Sequence, residues 1–257
     1  MPVLFHGVPT SAAISKAALS PSLQDASTAL SGLRTGDNGR TAALRQKQDK
    51  SSSLTGRVTG KSDFISELTR GTLPIEKFKS YMVQDSIYLK HYARVYGKAI
   101  FHSTNLRDIQ IYYSILNFVT DTESAVRINY LSSFGITDDD IEFIQPLREN
   151  QNYIDFLLEI AEGGDTCEIL MAVLPCMMSY SYIFRKIVDE SYSSKSQYLD
   201  FIQDYADNQY YEDCIAWGKF ADRKCENLTD EEKEHLSKIF EKASVLELDF
   251  WKMAYRG

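Results

Sequence analysis

The chain has 257 residues, 44% of them hydrophobic and 12% aromatic, which is enough apolar material for one sizeable core. Its formal net charge of −8 argues against nucleic acid and anionic membranes as partners. The cysteines, Cys167, Cys176, Cys214 and Cys225, lack the paired spacings of a metal site and the density of a small secreted disulfide scaffold, so they read as reduced thiols of a cytoplasmic protein. No apolar run is expected to approach the roughly 20 residues that cross a bilayer, which makes the chain soluble on this reading.

Residues 1–61 differ in kind from the rest. They are rich in Ser, Ala, Thr, Leu and Gly and nearly free of aromatics after Phe5. Eight basic residues stand there against three acids, a net of +5 that leaves −13 for the remainder. Such a segment buries too little apolar surface to offset its ordering entropy, so a disordered Ser/Ala-rich basic extension is expected, with at most a weak helix over 12–30. Its acid-poor makeup also permits an organellar or secretory targeting signal.

From Ser62 to the C-terminus the pattern is helical, and residues 62–257 read as one all-α domain. Pro74 opens a long amphipathic helix that runs to about His102, with Phe78, Tyr81, Met82, Ile87, Tyr88, Tyr92 and Val95 on its apolar side. A second spans Asp108 to Ser133 and stops at Gly135. Thr137 caps a short acidic helix from Asp138 to Leu147, and Asn150 to Glu162 makes another that ends at Gly163-Gly164. Thr166 to Ser191, Tyr198 to Cys225 and Thr229 to Tyr255 follow, the last opening with Thr-Asp-Glu-Glu, a capping-box arrangement. No alternating run of useful length suggests a strand, so the expected fold is a bundle of about seven or eight helices.

Polar residues on apolar faces mark the candidate chemistry. Pro175 should bend its helix and open the backbone beside Cys176, and Tyr180 follows that cysteine by one turn on the same face. A buried cysteine also packs as a small hydrophobe, so spacing alone leaves a reactive thiol and a core residue both open. Asp85 and Tyr88 share a stripe with Tyr81 and Tyr92, while Glu247 shares one with Phe240, Ala243, Phe250 and Trp251. A carboxylate among rings is either a structural ion pair or a working acid. Tyr153 and Tyr205 fall on apolar stripes as well. The four histidines lack the Glu-x-x-His companions of a helical di-iron site, and no P-loop, dinucleotide or zinc spacing is present. Cysteine-protease chemistry would have to recruit His91.

Several short motifs carry a family resemblance in order. They are Gly71-Thr72-Leu73-Pro74 with Phe78 and Tyr81, Gln84-Asp85-Ser86-Ile87-Tyr88-Leu89, Tyr153 in Asn-Tyr-Ile-Asp-Phe-Leu-Leu, Leu174-Pro175-Cys176 with Tyr180, Tyr198 to Tyr205, and Glu247 with Phe250-Trp251. Together they make residues 63–255 resemble the TenA/thiaminase II family, whose members adopt the heme-oxygenase-like all-α fold without haem, metal or other cofactor. The resemblance implies that Cys176 is the nucleophile toward a pyrimidine ring and Glu247 the acid that protonates a ring nitrogen. Asp85 would hold the amino edge, while Tyr88, Tyr153, Tyr180 and Tyr205 orient substrate and catalytic groups. The implied reaction is hydrolysis of an aminopyrimidine at its exocyclic methylene, in thiamine salvage, by a homotetramer. The alternative is a catalytically weakened member of the fold that binds or regulates, with the basic tail as its interaction or targeting element.

The chain departs from that family pattern in three places. Only Asp63-Phe64-Ile65 remains of a longer first helix. Glu123 is followed four residues later by Arg127 where His is usual, and Phe201 stands where Trp is frequent. Tyr112, Tyr113, Tyr130, Tyr182, Tyr192, Tyr210 and Tyr211 lie near or outside the inward stripes and are expected at subunit interfaces.

Overall fold

The computed structural model describes residues 62–190 and 196–257; the expected disordered extension with its weak helix, Ser191 and Tyr192 lie outside the described residues. Ten α-helices follow in chain order: α1 Asp63–Arg70, α2 Ile75–His102, α3 Leu106–Asn117, α4 Glu123–Ser133, α5 Asp138–Glu142, α6 Arg148–Gly163, α7 Thr166–Glu190, α8 Leu199–Ala206, α9 Asn208–Lys224 and α10 Asp230–Arg256. A π-helical turn, Phe118–Thr122, joins α3 to α4, and no strand occurs among the described residues. The bundle is all-α, as the periodicity predicts.

Among the described residues, ten helices replace the expected seven or eight because a short first helix forms and two long segments are interrupted. The segment over 108–133 starts two residues earlier, where the Asn105 side chain accepts from the Asp108 amide at 2.9 Å, and is broken by the π turn. The β-branched pair Val119 and Thr120 disfavours a regular α-helix, and the Thr120 hydroxyl donates back to the Leu116 carbonyl at 3.0 Å. The segment over 198–225 breaks at Asp207, whose backbone is extended and whose carboxylate caps α9 by accepting from the Gln209 amide at 2.7 Å. α5 ends at Glu142 rather than Leu147, because Pro146 restricts the residue before it and cannot donate to a continuing helix. Capping boxes form at Thr137 with Asp140 and at Thr229 with Glu232.

α1 supplies the wall that the short remnant of a first helix leaves in question. Ser62 caps it, Phe64, Ile65 and Leu68 are buried, and Gly71 ends it in the left-handed region at φ 71°. A Cβ at Gly71 would lie 3.0 Å from the Ser196 Cα, so this position needs glycine for space as well as for backbone conformation. Phe64 packs its ring 5.1 Å from Tyr81 and 5.6 Å from Trp251, joining α1 to α2 and α10.

α7 runs through the middle of the bundle and makes its most extensive contact with α10. Its stretch Thr166–Val188 is 23 residues long with a mean hydropathy of 1.5, long and apolar enough to cross a membrane, which corrects the expectation that no run approaches that length. The charged residues Glu168, Arg185 and Lys186 fall only near its ends, and 83% of the apolar stretch is buried against the other helices. α7 also continues through Pro175, which lacks the amide for an intrahelical bond. Neighbouring side chains hydrogen-bond the carbonyls around it. Tyr92 of α2 donates to Val173 at 2.8 Å, Tyr210 of α9 to Met177 at 3.1 Å, and Ser179 to Cys176 at 3.0 Å.

These bonds also revise the interface tyrosines. Tyr112 and Tyr210 are core residues of this chain, their hydroxyls donating to the carbonyls of Thr166 and Met177, both at 3.1 Å. Tyr113 is exposed, while Tyr130, Tyr182 and Tyr211 are half-buried. Phe64→Ala removes a fully buried ring and should cost about 3–5 kcal/mol. Calorimetry should register this as a fall in Tm of roughly 10 °C; an unchanged Tm would mean that α1 is dispensable to the core.

Candidate active site

Four helices aim side chains at one point. α2 supplies Asp85 and Tyr88, α6 Tyr153, α7 Cys176 and Tyr180, and α10 Glu247 and Phe250, and these seven line a single cavity. Six of the seven residues singled out from the sequence are therefore brought together, and Phe250 joins them. Tyr205, the remaining one, stands behind Tyr180 with ring centroids 4.9 Å apart. The walls meet closely enough to leave essentially no water-sized void.

A continuous shell of rings holds this arrangement. The Tyr81 and Tyr180 hydroxyls hydrogen-bond at 2.9 Å, and Tyr81 stacks on Trp251 at 5.5 Å and 13°. Tyr180 packs 5.0 Å from the same indole. Tyr88 sits 4.9 Å from Tyr153, 5.3 Å from Tyr92 and 5.9 Å from Phe250. Two χ angles per ring and close packing on several sides leave these side chains little freedom, so the polar tips are fixed by the apolar bodies.

Inside the shell lie two buried carboxyls. Burial pushes Asp85 up to about 7 from its ordinary 3.8, against the opposing pull of the Arg127 guanidinium. Burial likewise pushes Glu247 up to about 8; the Tyr153 hydroxyl draws it back, the nearby Asp85 carboxyl raises it further, and the Trp251 indole N–H draws it back again. The Tyr88 and Tyr153 hydroxyls and the Trp251 Nε1 are buried without closing to full hydrogen-bond geometry. Unsatisfied buried donors beside acids that hold protons near neutral pH are costly in a merely structural core. They suit a site that completes its hydrogen bonds on a planar polar ligand and exchanges protons with it.

The sequence model of the TENA/THI-4/PQQC family matches residues 61–257. The chain belongs to this family. A relative from Halalkalibacterium halodurans, named aminopyrimidine aminohydrolase, is 29% identical over 193 residues, which cover 75% of this chain and 86% of the relative. The solved structure of a TenA family transcription regulator from a Silicibacter species is 26% identical, with a TM-score of 0.75 over 83% of this chain and 97% of the other. A domain from Shewanella denitrificans described as having a heme oxygenase-like fold superposes with a TM-score of 0.56 at 18% identity, covering 83% and 92% of the two chains. The fold of this TENA/THI-4/PQQC member is thus heme oxygenase-like.

Phe250, Trp251, Tyr81 and Arg127 are all visible in the sequence, but their places around this family member's site are not. Phe250 was legible, three residues beyond Glu247 on the same helical face, but only as an apolar neighbour. Trp251 and Tyr81 frame the shell through a ring contact that spans most of the domain in sequence. Arg127 donates to the Ser86 hydroxyl at 2.6 Å across 41 positions of sequence, a distance no local pattern reveals.

Because the folded protein holds the Glu247 proton up to about pH 8, against an ordinary 4.5, stability is full at low pH and declines as pH rises from about 4.5 through 8. Glu247→Gln removes that decline. Its Tm should match the parent near pH 5 and exceed it at pH 8.5 by about 5–10 °C, equivalent to roughly 2–4 kcal/mol. Scanning calorimetry at the two pH values checks this, and equal Tm differences at both would refute a buried, proton-holding Glu247.

Proposed function

We propose that the protein is an aminopyrimidine aminohydrolase of the thiaminase II type. It would convert 4-amino-5-aminomethyl-2-methylpyrimidine to 4-amino-5-hydroxymethyl-2-methylpyrimidine and ammonia, and accept thiamine with its thiazole as leaving group. The observation that carries the reading is the convergence of one thiol, two buried carboxyls and three phenols on one cavity, in a member of this family. Relatives named aminopyrimidine aminohydrolase support the choice of substrate class.

In the proposed chemistry Asp85 accepts from the ring's amino group and Glu247, which keeps its proton near neutral pH, donates to a ring nitrogen. Protonation turns the ring into an electron sink. The Cys176 sulfur then adds to a ring carbon, its proton leaves with the amine, and the carbon–nitrogen bond at the methylene breaks. Water adds to the methylene and its proton returns to the sulfur as the carbon–sulfur bond breaks, while the ring nitrogen gives its proton back to Glu247, restoring the aromatic ring. Tyr88, Tyr153 and Tyr180 border the ring plane, and Tyr205 braces Tyr180. The closed walls must part to admit the ring, and the three unsatisfied donors gain partners when they do. No metal or cofactor enters any step.

We also assign a cytoplasmic homotetramer. Phe101, Leu106, Tyr113 and Phe143 expose 81%, 69%, 60% and 85% of their surface, apolar area that suits burial between copies. Light scattering of the purified chain at micromolar concentration should give about four times the 29.3 kDa protomer mass; a value near the protomer mass would exclude a stable tetramer.

The deciding experiment for the activity is turnover of the aminomethyl-pyrimidine and of thiamine by purified protein, beside Cys176→Ala and Cys176→Ser. Both variants should fold with near-parental Tm and lose at least about 1,000-fold in kcat, since the sulfur forms the bond on which the reaction depends. Parental turnover in either variant would overturn the nucleophile. Absence of turnover by the parent on both substrates would favour the reading as a binding or regulatory protein, the role named for the Silicibacter relative.

A further inference from the structure

We infer that Arg127, outside the cavity, decides which of the two buried carboxyls takes the first negative charge, placing it on Asp85 so that Glu247 retains its proton. This makes Arg127 a positioning residue for the reaction. The inference deepens the proposed function, and its kinetic consequence rests on that reading.

The geometry begins with α4. Arg127 Nη1 donates to the Ser86 hydroxyl at 2.6 Å, and that hydroxyl donates to the Met82 carbonyl one turn back along α2 at 2.7 Å. The guanidinium is thereby pinned to the turn of α2 that carries Asp85, the residue next to Ser86. On its other side Arg127 borders a second cavity of about 380 Å³, where Lys90 is paired with Glu142 at 2.8 Å. The Arg127 charge draws Asp85 toward the ionised form.

On the cavity side, Asp85 faces Tyr88 of its own helix, Tyr153 of α6, Cys176 and Tyr180 of α7 and Glu247 of α10, none of them positively charged. Glu247 meets the neutral donors Tyr153 and Trp251 and the Asp85 carboxyl itself. Two carboxyls in one dry site do not ionise independently, and the first charge settles where a cation stabilises it. Here that is the Asp85 side. The proposed reaction needs this order, an acceptor at the amino edge and a donor at the ring nitrogen; the reverse assignment has the right groups in the wrong states.

The test separates charge placement from activity. In a Glu247→Gln background Asp85 is the titrating carboxyl, and Tm should fall as pH rises toward about 7 and level off above it, once Asp85 is ionised. Adding Arg127→Gln should move that levelling up by about one pH unit. In an Asp85→Asn, Glu247→Gln background the same substitution should leave the shape of the pH profile unchanged. Ser86→Ala, which removes the anchor, should give a smaller shift in the same direction and serves where Arg127→Gln does not fold. In otherwise unaltered enzyme, Arg127→Gln should lower kcat/KM at pH 7 about tenfold and narrow its pH profile, and Arg127→Lys should restore most of both. A Tm profile unmoved by Arg127→Gln and by Ser86→Ala overturns the inference whatever the activity. A shifted profile in a protein that turns over neither pyrimidine substrate supports the charge assignment and tells against the proposed function instead.

Discussion

Two carboxyl groups held out of water inside a wall of rings are the constraint on which the rest of the structure depends. Asp85 and Glu247 are almost wholly buried, and each would be destabilising in an apolar site unless something nearby stabilised its charged form or let it keep its proton. The two carboxyls resolve this differently. Glu247 keeps its proton to about pH 8 beside neutral donors, whereas Asp85 has a guanidinium behind its helix. The site tolerates both because the surrounding core is large and aromatic, so an unfavourable electrostatic balance of a few kcal/mol is carried by packing elsewhere.

That packing is not separable from the site. Tyr81 touches Phe64, Phe78, Phe201, Phe250 and Trp251 while its hydroxyl meets Tyr180, so one side chain is both a core element and part of the frame around the thiol. Phe201 meets Phe78, Tyr81, Phe184 and Tyr205 edge-on, so its ring is held on four sides. A core of this kind transmits displacement instead of absorbing it, since close-packed interiors have little free volume.

Much of this was legible in the sequence where the signal was local and periodic. The helical class, the caps at Thr137 and Thr229, and the pairing of Cys176 with Tyr180 follow from spacing along one helix face. The π turn and the break at Asp207 were not legible, because both segments keep a helical pattern of apolar residues and the interruptions arise from one β-branched cluster and one competing side-chain cap. The fate of the tyrosines was ambiguous for a related reason. Tyr112 and Tyr210 lie near stripe edges, and only the carbonyls of a different helix, α7, show that their hydroxyls can be satisfied inside. Burial of a phenol depends on a partner distant in sequence, and periodicity carries no information about that partner.

Around Pro175 the core contacts and the site meet. An interior proline removes an amide donor one residue before Cys176, and the carbonyls around it are met by Tyr92 from α2, Tyr210 from α9 and Ser179 from α7 itself. The backbone that presents the thiol is therefore held by side chains from two other helices as well as by the ladder of its own. The Tyr92 bond ties α2 to α7 at Val173, one turn from where α2 places Asp85 and Tyr88. It fixes the height of the acids relative to the sulfur, so the register of the site depends in part on side chains that bond backbone polar groups in the core.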